Sequence, residues 1–208
     1  HVGRLAFPIF AFLAVEGYFH TRSFKRYALR MLLFAVLSEV PFDLMYGGTV
    51  FYPVHQNVIW TLLLGLLGIR LMEAARAKGK RWLYVLTCAA VVVLGFALGT
   101  LGMVDYYGAG VLTVFAFYFF RERKWWCLLG QLAALYWLNV VVLGGQMYPV
   151  TLFGREIELC EQGLALLALV PIWLYRGRQG HHSKAFQYAC YAFYPAHMLV
   201  LALLTMIQ

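Results

Sequence analysis

The feature that most constrains this chain is the rhythm with which long apolar runs alternate with short connections. A membrane-spanning helix needs about 20 mainly apolar residues. Eight stretches meet that length to within a few residues: 3–20, 26–45, 57–74, 82–100, 106–120, 125–145, 159–175 and 186–207. The fifth is the shortest. Hydrophobic residues make up 63% of the 208 and charged ones 12%, about half the charge usual in a soluble domain. No Ser/Pro-rich linker and no repeat divides the chain. Residues 1–208 therefore read as a single transmembrane domain, an all-α polytopic integral membrane helix bundle of about eight transmembrane helices.

The connections supply an orientation. The loops after odd-numbered segments carry Arg22, Lys25 and Arg26; Arg76, Lys78, Lys80 and Arg81; Arg121, Arg123 and Lys124; and Arg176, Arg178 and Lys184. These are thirteen of the 17 basic residues, and the even loops hold only Arg155. Lys and Arg collect on the cytoplasmic side of membrane proteins. The odd loops are thus expected inside and both ends of the stretch outside. Dropping the short fifth segment would break the alternation. The net charge of +8 then reports topology, and no nucleic-acid partner is expected. Aromatics such as Trp60, Trp82, Trp125 and Trp173 sit at segment ends, where amphipathic rings favour the membrane interface. The four cysteines are widely spaced and read as small apolar helix residues.

Charged groups inside spans are costly and by default mark function. Here they form two layers. The inner layer is Glu16, His20, Arg22, Lys25, Arg26 and Arg30, with Arg70 near its own helix end. Glu16 and His20 share a face at i, i+4, and Glu16 is expected to pair with Arg30. Arg70 reads as a snorkelling side chain, with Glu73 a solvated neighbour. The outer layer is Glu39, Asp43, His55, Gln56, Asn57, Tyr194 and His197, with Pro41 loosening the second helix between its two carboxylates. Asp105, Glu156, Glu158 and Glu161 read as external surface, Gly144, Gly145 and Gly154 as an external turn, and His181 and His182 as loop residues. No HxxxH or HxxE spacing is present, so no metal is expected. Two layers of buried polar groups suit a membrane enzyme, and equally a proton-coupled transporter or flippase using the same carboxylates and histidine.

Four of these stretches are distinctive: GRLAFPIFAFLAVEGYFHTR, FAVLSEVPFDL, HQNVIWTLLLGL and YAFYPAHMLVL. Together, and in this order, they resemble the TraX family, named for a conjugation protein that acetylates the N-terminus of F-type pilin. The resemblance runs from Gly3 to about Leu66 and from Tyr188 to Leu201; the middle matches mainly in hydropathy. It implies an integral-membrane acetyltransferase of the bacterial inner membrane, distantly similar to the acyltransferase-3 enzymes. It implies acetyl-CoA as co-substrate and an external acceptor: a protein N-terminus, a sugar or another small molecule. It also implies a further N-terminal helix bearing an Asp–His pair, which is not among these residues.

The residues and the resemblance together suggest a division of labour. Arg22, Lys25, Arg26 and Arg30 would attract the phosphates of cytoplasmic acetyl-CoA, with Glu16 and His20 lining the donor-side mouth. His197, oriented by Glu39 or Asp43, is the expected base. Gln56, Asn57 or Tyr194 would donate to the oxyanion, with His55 beside them on the acceptor side.

Overall fold

In the computed structural model, residues 3–152, 155–175, 177 and 183–207 are described. Gly154, Arg176, Arg178, His181 and His182 lie outside them, as do the side chains of Arg155, Glu156 and Lys184. Helices occupy Gly3–His20 (α1), Phe24–Gly47 (α2), Val58–Ala77 (α3), Arg81–Leu101 (α4), Tyr107–Phe119 (α5), Trp125–Tyr136 (α6), Leu169–Leu174 (α7) and Lys184–Ile207 (α8). Every expected span coincides with helical structure to within a few residues. Among the described residues, the stretches Val58–Ala77, Arg81–Leu101, Trp125–Leu143 and Tyr188–Thr205 are each long and apolar enough to cross a membrane unaided. The protein is an all-α membrane bundle with one small hairpin at its rim.

Local chemistry sets the helix ends. Ser23 caps α2, its hydroxyl accepting from the Arg26 amide, and Gly48 closes the helix at φ 65°, a left-handed conformation glycine adopts without strain. Asn57 caps α3 through the Ile59 amide. The basic helix ends meet at one rim, where Arg121 reaches Glu16 and Arg70 lies over the Phe24 ring.

The short fifth segment is the centre of the bundle. Ten of the thirteen residues of α5 are buried, wrapped by α1, α3, α4 and α6. At about 1.5 Å per residue it spans only about 20 Å, less than the bilayer core of about 30 Å. Protein rather than lipid surrounds it, so its ends need not reach water directly. Glycines make this possible. A Cβ on Gly99 would lie 2.9 Å from the Gly108 Cα, and one on Gly108 would lie 2.4 Å from the Phe96 carbonyl oxygen. Bare backbone at both positions lets α4 and α5 touch, a familiar device where lipid supplies no hydrophobic drive. Conversely only Val91 and Gly99 of α4 are fully buried. It is an outer helix. α8 packs chiefly along α2.

Three features at the rim opposite the basic loops were not expected. Helix α6 continues as a π-helix over Trp137–Leu143. Strands β1 (Met147–Leu152) and β2 (Arg155–Cys160) form an antiparallel hairpin. A 3₁₀ run, Glu161–Ala168, then leads into α7, far longer than such runs usually persist; it packs against α1. Gly144 and Gly145 take positive φ there, as the turn reading requires. Glu161 departs from its surface reading: it is 18% exposed and pairs with Arg4 at 3.6 Å.

Candidate active site

The half of α2 away from the basic rim carries a buried stripe: Ala35, Ser38, Phe42 and Asp43. These fall at i, i+3, i+7 and i+8, one face of a helix. That face meets the start of α3, the loop before it, and α8. Glu39, beside the stripe, has one carboxylate oxygen, Oε2, that accepts from Trp60 Nε1 at 2.8 Å and from Asn57 Nδ2. The same Asn57 amide donates to the Ala35 carbonyl at 2.8 Å, and its own oxygen caps α3. Asp43 is 2% exposed, and its Oδ2 accepts from the Tyr52 amide at 3.0 Å.

What these groups leave free is informative. Six buried side-chain polar atoms among the described residues lack a hydrogen-bond partner, and five belong here: Ser38 Oγ, Glu39 Oε1, Asp43 Oδ1, His55 Nε2 and the Tyr194 hydroxyl. Each such atom ordinarily costs about 1–3 kcal/mol when left alone. A cluster of them is a place prepared for a polar ligand or for water. Tyr194 reaches in from α8 beside the Val58 backbone, within electrostatic reach of Asp105 and Glu39.

His55 is held by rings. It stacks on Phe42 with centroids 5.6 Å apart, tilts against Tyr46 at 4.7 Å, and meets the edge of Tyr107 at 5.8 Å. Its Nε2 lies 3.4 Å from Asp105 Oδ1, near enough for attraction but without hydrogen-bond alignment. The loops before α3 and α5 are zipped together. Gln56 N donates to the Met103 carbonyl and Asp105 N to the Gln56 carbonyl, both at 2.9 Å. Thr61 Oγ1 donates to the Asp105 carbonyl at 2.6 Å. Met103, Tyr106 and Tyr107 all have φ between 49° and 61°, where side chains are strained by about 1–3 kcal/mol each. Three strained residues flanking one aspartate mark a loop whose shape the surrounding packing imposes.

The expected outer residues are thus divided. Glu39, Asp43, His55, Asn57 and Tyr194 converge. His197 does not. Its ring is exposed on α8 and stacks on Phe193 of its own helix at 5.6 Å; no hydrogen bond or ion pair joins it to Glu39 or Asp43 among the described residues. One turn along α8, Tyr194 takes the inward position. The Gln56 side chain is turned back onto the Pro53 carbonyl at 3.1 Å, while its backbone holds Asp105. Asp105 is no bystander on the surface but the partner of His55. The sequence reading passes over Ser38 and assigns Trp60 to the interfacial belt and Asp105 to external surface. Ser38 had a visible signal, its place on the Ala35–Phe42 face. Asp105 had none, because it enters through pairing of two distant loops.

The inner layer is rearranged too. Glu16 pairs not with Arg30 but with Arg121, at 2.7 Å to Nε and 3.3 Å to Nη2. His20 stays on the Glu16 face, its Nδ1 2.8 Å from the Glu16 carbonyl oxygen and 3.8 Å from Oε2. Arg22, Lys25 and Arg26 are exposed at the basic rim. Arg70 is exposed and lies over the Phe24 ring at 5.9 Å. Glu73 accepts from the Tyr118 hydroxyl at 2.6 Å and so is tied into the bundle. Two cavities of about 400 Å³ open on this architecture. One is an apolar groove between α1, α2, α3 and α8, running from Arg30 past Met31, Leu62 and Phe193 to Tyr194. The other lies at the basic rim around Glu16 and Arg121.

The family model described as "TraX protein" matches residues 1–205. The chain belongs to the TraX family. Among curated proteins, this TraX-family chain is 28% identical over 210 residues to a "Probable fimbrial assembly protein FimC, serogroup H1" from Dichelobacter nodosus, covering 96% of the chain and 80% of that protein. No solved structure matches it significantly.

Proposed function

We propose that this TraX-family protein is a membrane acyltransferase. It moves an acetyl group from acetyl-CoA on the basic, cytoplasmic side to an acceptor amine or hydroxyl at the opposite face. The observation that carries this reading is the gathering of Glu39, Asp43, Tyr194 and the His55–Asp105 pair in one buried cluster. Ionisable groups gathered inside a membrane protein ordinarily mark function.

The residues divide as follows. Acetyl-CoA supplies an activated acetyl group as its thioester. Arg30, at the inner end of the apolar groove, attracts its phosphates. Nine residues of α2, about 13 Å at helical rise, separate Arg30 from Glu39. A thin pantetheine arm suits a groove of that length with apolar walls. With Nε2 turned to Asp105, His55 takes the acceptor's proton on Nδ1, and Asp105 stabilises the imidazolium that results. The acceptor nitrogen or oxygen bonds to the acetyl carbon, the carbon–sulfur bond breaks, and the thiolate leaves with a proton. Tyr194, reaching in beside the Val58 backbone, donates to the transient oxyanion. Glu39, Asp43 and Asp105 give the pocket negative character, which favours an acceptor that approaches as an ammonium; it gives its first proton to His55 before the neutral amine attacks, and its second leaves on the thiolate. The relative named for fimbrial assembly makes the N-terminus of a pilus subunit the first acceptor to try.

The test is transfer of label from acetyl-CoA by the full-length protein in nanodiscs, with a pilin-like N-terminal peptide as acceptor. H55A should lose turnover by about 100-fold or more, and H197A should retain it. Equal turnover by H55A and the parent, or no release of CoA with any amine or sugar acceptor, would remove the proposal.

A further inference from the structure

The cavity at the basic rim is not used by this chemistry. Helix α1 separates it from the groove: Phe12 and Glu16 face the cavity, whereas Phe10 and Leu13 face the groove. Its polar walls are largely engaged with one another. Gln131 donates to the Phe120 carbonyl and accepts from Trp173 Nε1, both at 2.9 Å. Glu122 is drawn to Lys124 at 2.5 Å. Glu16 takes the Nε–Nη2 edge of Arg121.

What remains free is cationic. A guanidinium has five N–H groups and two edges that can each grip an oxyanion. Glu16 occupies only one edge, and the Phe19 ring, 4.1 Å beneath the Arg121 carbon, holds the plane in position. Arg123 lines the same cavity, and no ion pair engages it among the described residues. Trp173 lines the cavity as well; indole rings favour headgroup depth. Basic pockets between helices at that depth on the cytoplasmic side hold lipid headgroups.

We infer that this cavity binds a phosphate group, its non-bridging oxygens shared between the free edge of Arg121 and Arg123. The favoured source is the phosphodiester of an anionic phospholipid in the adjoining leaflet; a soluble phosphate ester carries the same chemistry. The site is independent of acyl transfer.

The experiment compares thermal unfolding of the full-length protein in phosphatidylcholine nanodiscs with and without phosphatidylglycerol, alongside native mass spectrometry of retained lipid. Inorganic phosphate and adenosine 3′,5′-bisphosphate, added to phosphatidylcholine discs, form the soluble arm. Phosphatidylglycerol should raise the midpoint and stay bound. R123Q should weaken its retention about tenfold, R121K should also weaken it, and R81Q, an exposed arginine elsewhere on the rim, should not. Stabilisation by the soluble ions alone, abolished in R123Q, would assign the same site to a soluble ester. No effect in any arm, or losses equal in R123Q and R81Q, would overturn the site.

Discussion

Asn57 links three parts of the site, and replacing it with alanine separates their contributions. The residue is fully buried. Its oxygen caps α3 through the Ile59 amide at 3.0 Å, and its amide bridges Glu39 and the Ala35 carbonyl. Loss of an Asn cap costs about 1 kcal/mol. A hydrogen bond to a charged group is worth about 1.5–3 kcal/mol in soluble proteins, but interhelical bonds in membranes average nearer 0.6. The Ala35 carbonyl lies within α2, whose ladder offers it another donor, so that loss adds little. The sum is about 2–3 kcal/mol, roughly a 30- to 150-fold shift in the folding equilibrium. N57S should recover about 1 kcal/mol, because serine caps well but does not reach Glu39. N57D restores the cap and sets a second carboxylate against Glu39, so it should be the least stable variant at neutral pH. Reversible unfolding in detergent reads all four proteins. N57A within about 0.5 kcal/mol of the parent, or N57S no better than N57A, would refute this division of roles.

Other consequences are open to measurement. G108A should destabilise by about 2 kcal/mol or more, since the new methyl meets the Phe96 carbonyl and cannot be relieved by a side-chain shift; an unchanged melting midpoint contradicts the close α4–α5 crossing. A double-mutant cycle on E16Q and R121Q should give a coupling of about 1 kcal/mol, discounted because Arg121 is 35% exposed, while the corresponding cycle on E16Q and R30Q should give none. The Lys124 ammonium, by hydrogen bond and charge, holds the Glu122 carboxyl below its ordinary range. Its contribution is present above that range and fades as pH falls through the lowered value. In K124Q the Glu122 carbon-13 titration should move upward; no movement would mean the contact is not populated.

Most of the fold was legible because it follows from the bilayer alone. Lipid cannot satisfy backbone polar groups, so each apolar run must be helical, and each basic loop counts a crossing. Helix α5 was readable only through that alternation; its own thirteen residues are too short to announce a span. The hairpin and the long 3₁₀ run were not readable. They lie outside the simple apolar rhythm, where the path depends on what α1 and α6 offer to pack against. In the site, type and depth were legible: charged residues inside spans are too costly to be casual. That Glu39, Asp43, His55, Asn57 and Tyr194 belong to the outer layer could be read from their positions along the helices.

Partner choice was a different matter. Sequence determined that Glu16 sits near the basic rim, but only packing decided that Arg121, 105 residues away, would reach it before Arg30. Sequence placed Tyr194 and His197 within one turn of the same helix. The rotation of α8 against α2 turned the tyrosine in and left the histidine on Phe193. Asp105 met His55 because two loops 48 residues apart pair through backbone groups, which carry no side-chain code. Depth along a helix follows from counting residues, whereas azimuth and loop docking follow from the sum of all helix contacts, and no short stretch of chain contains that sum.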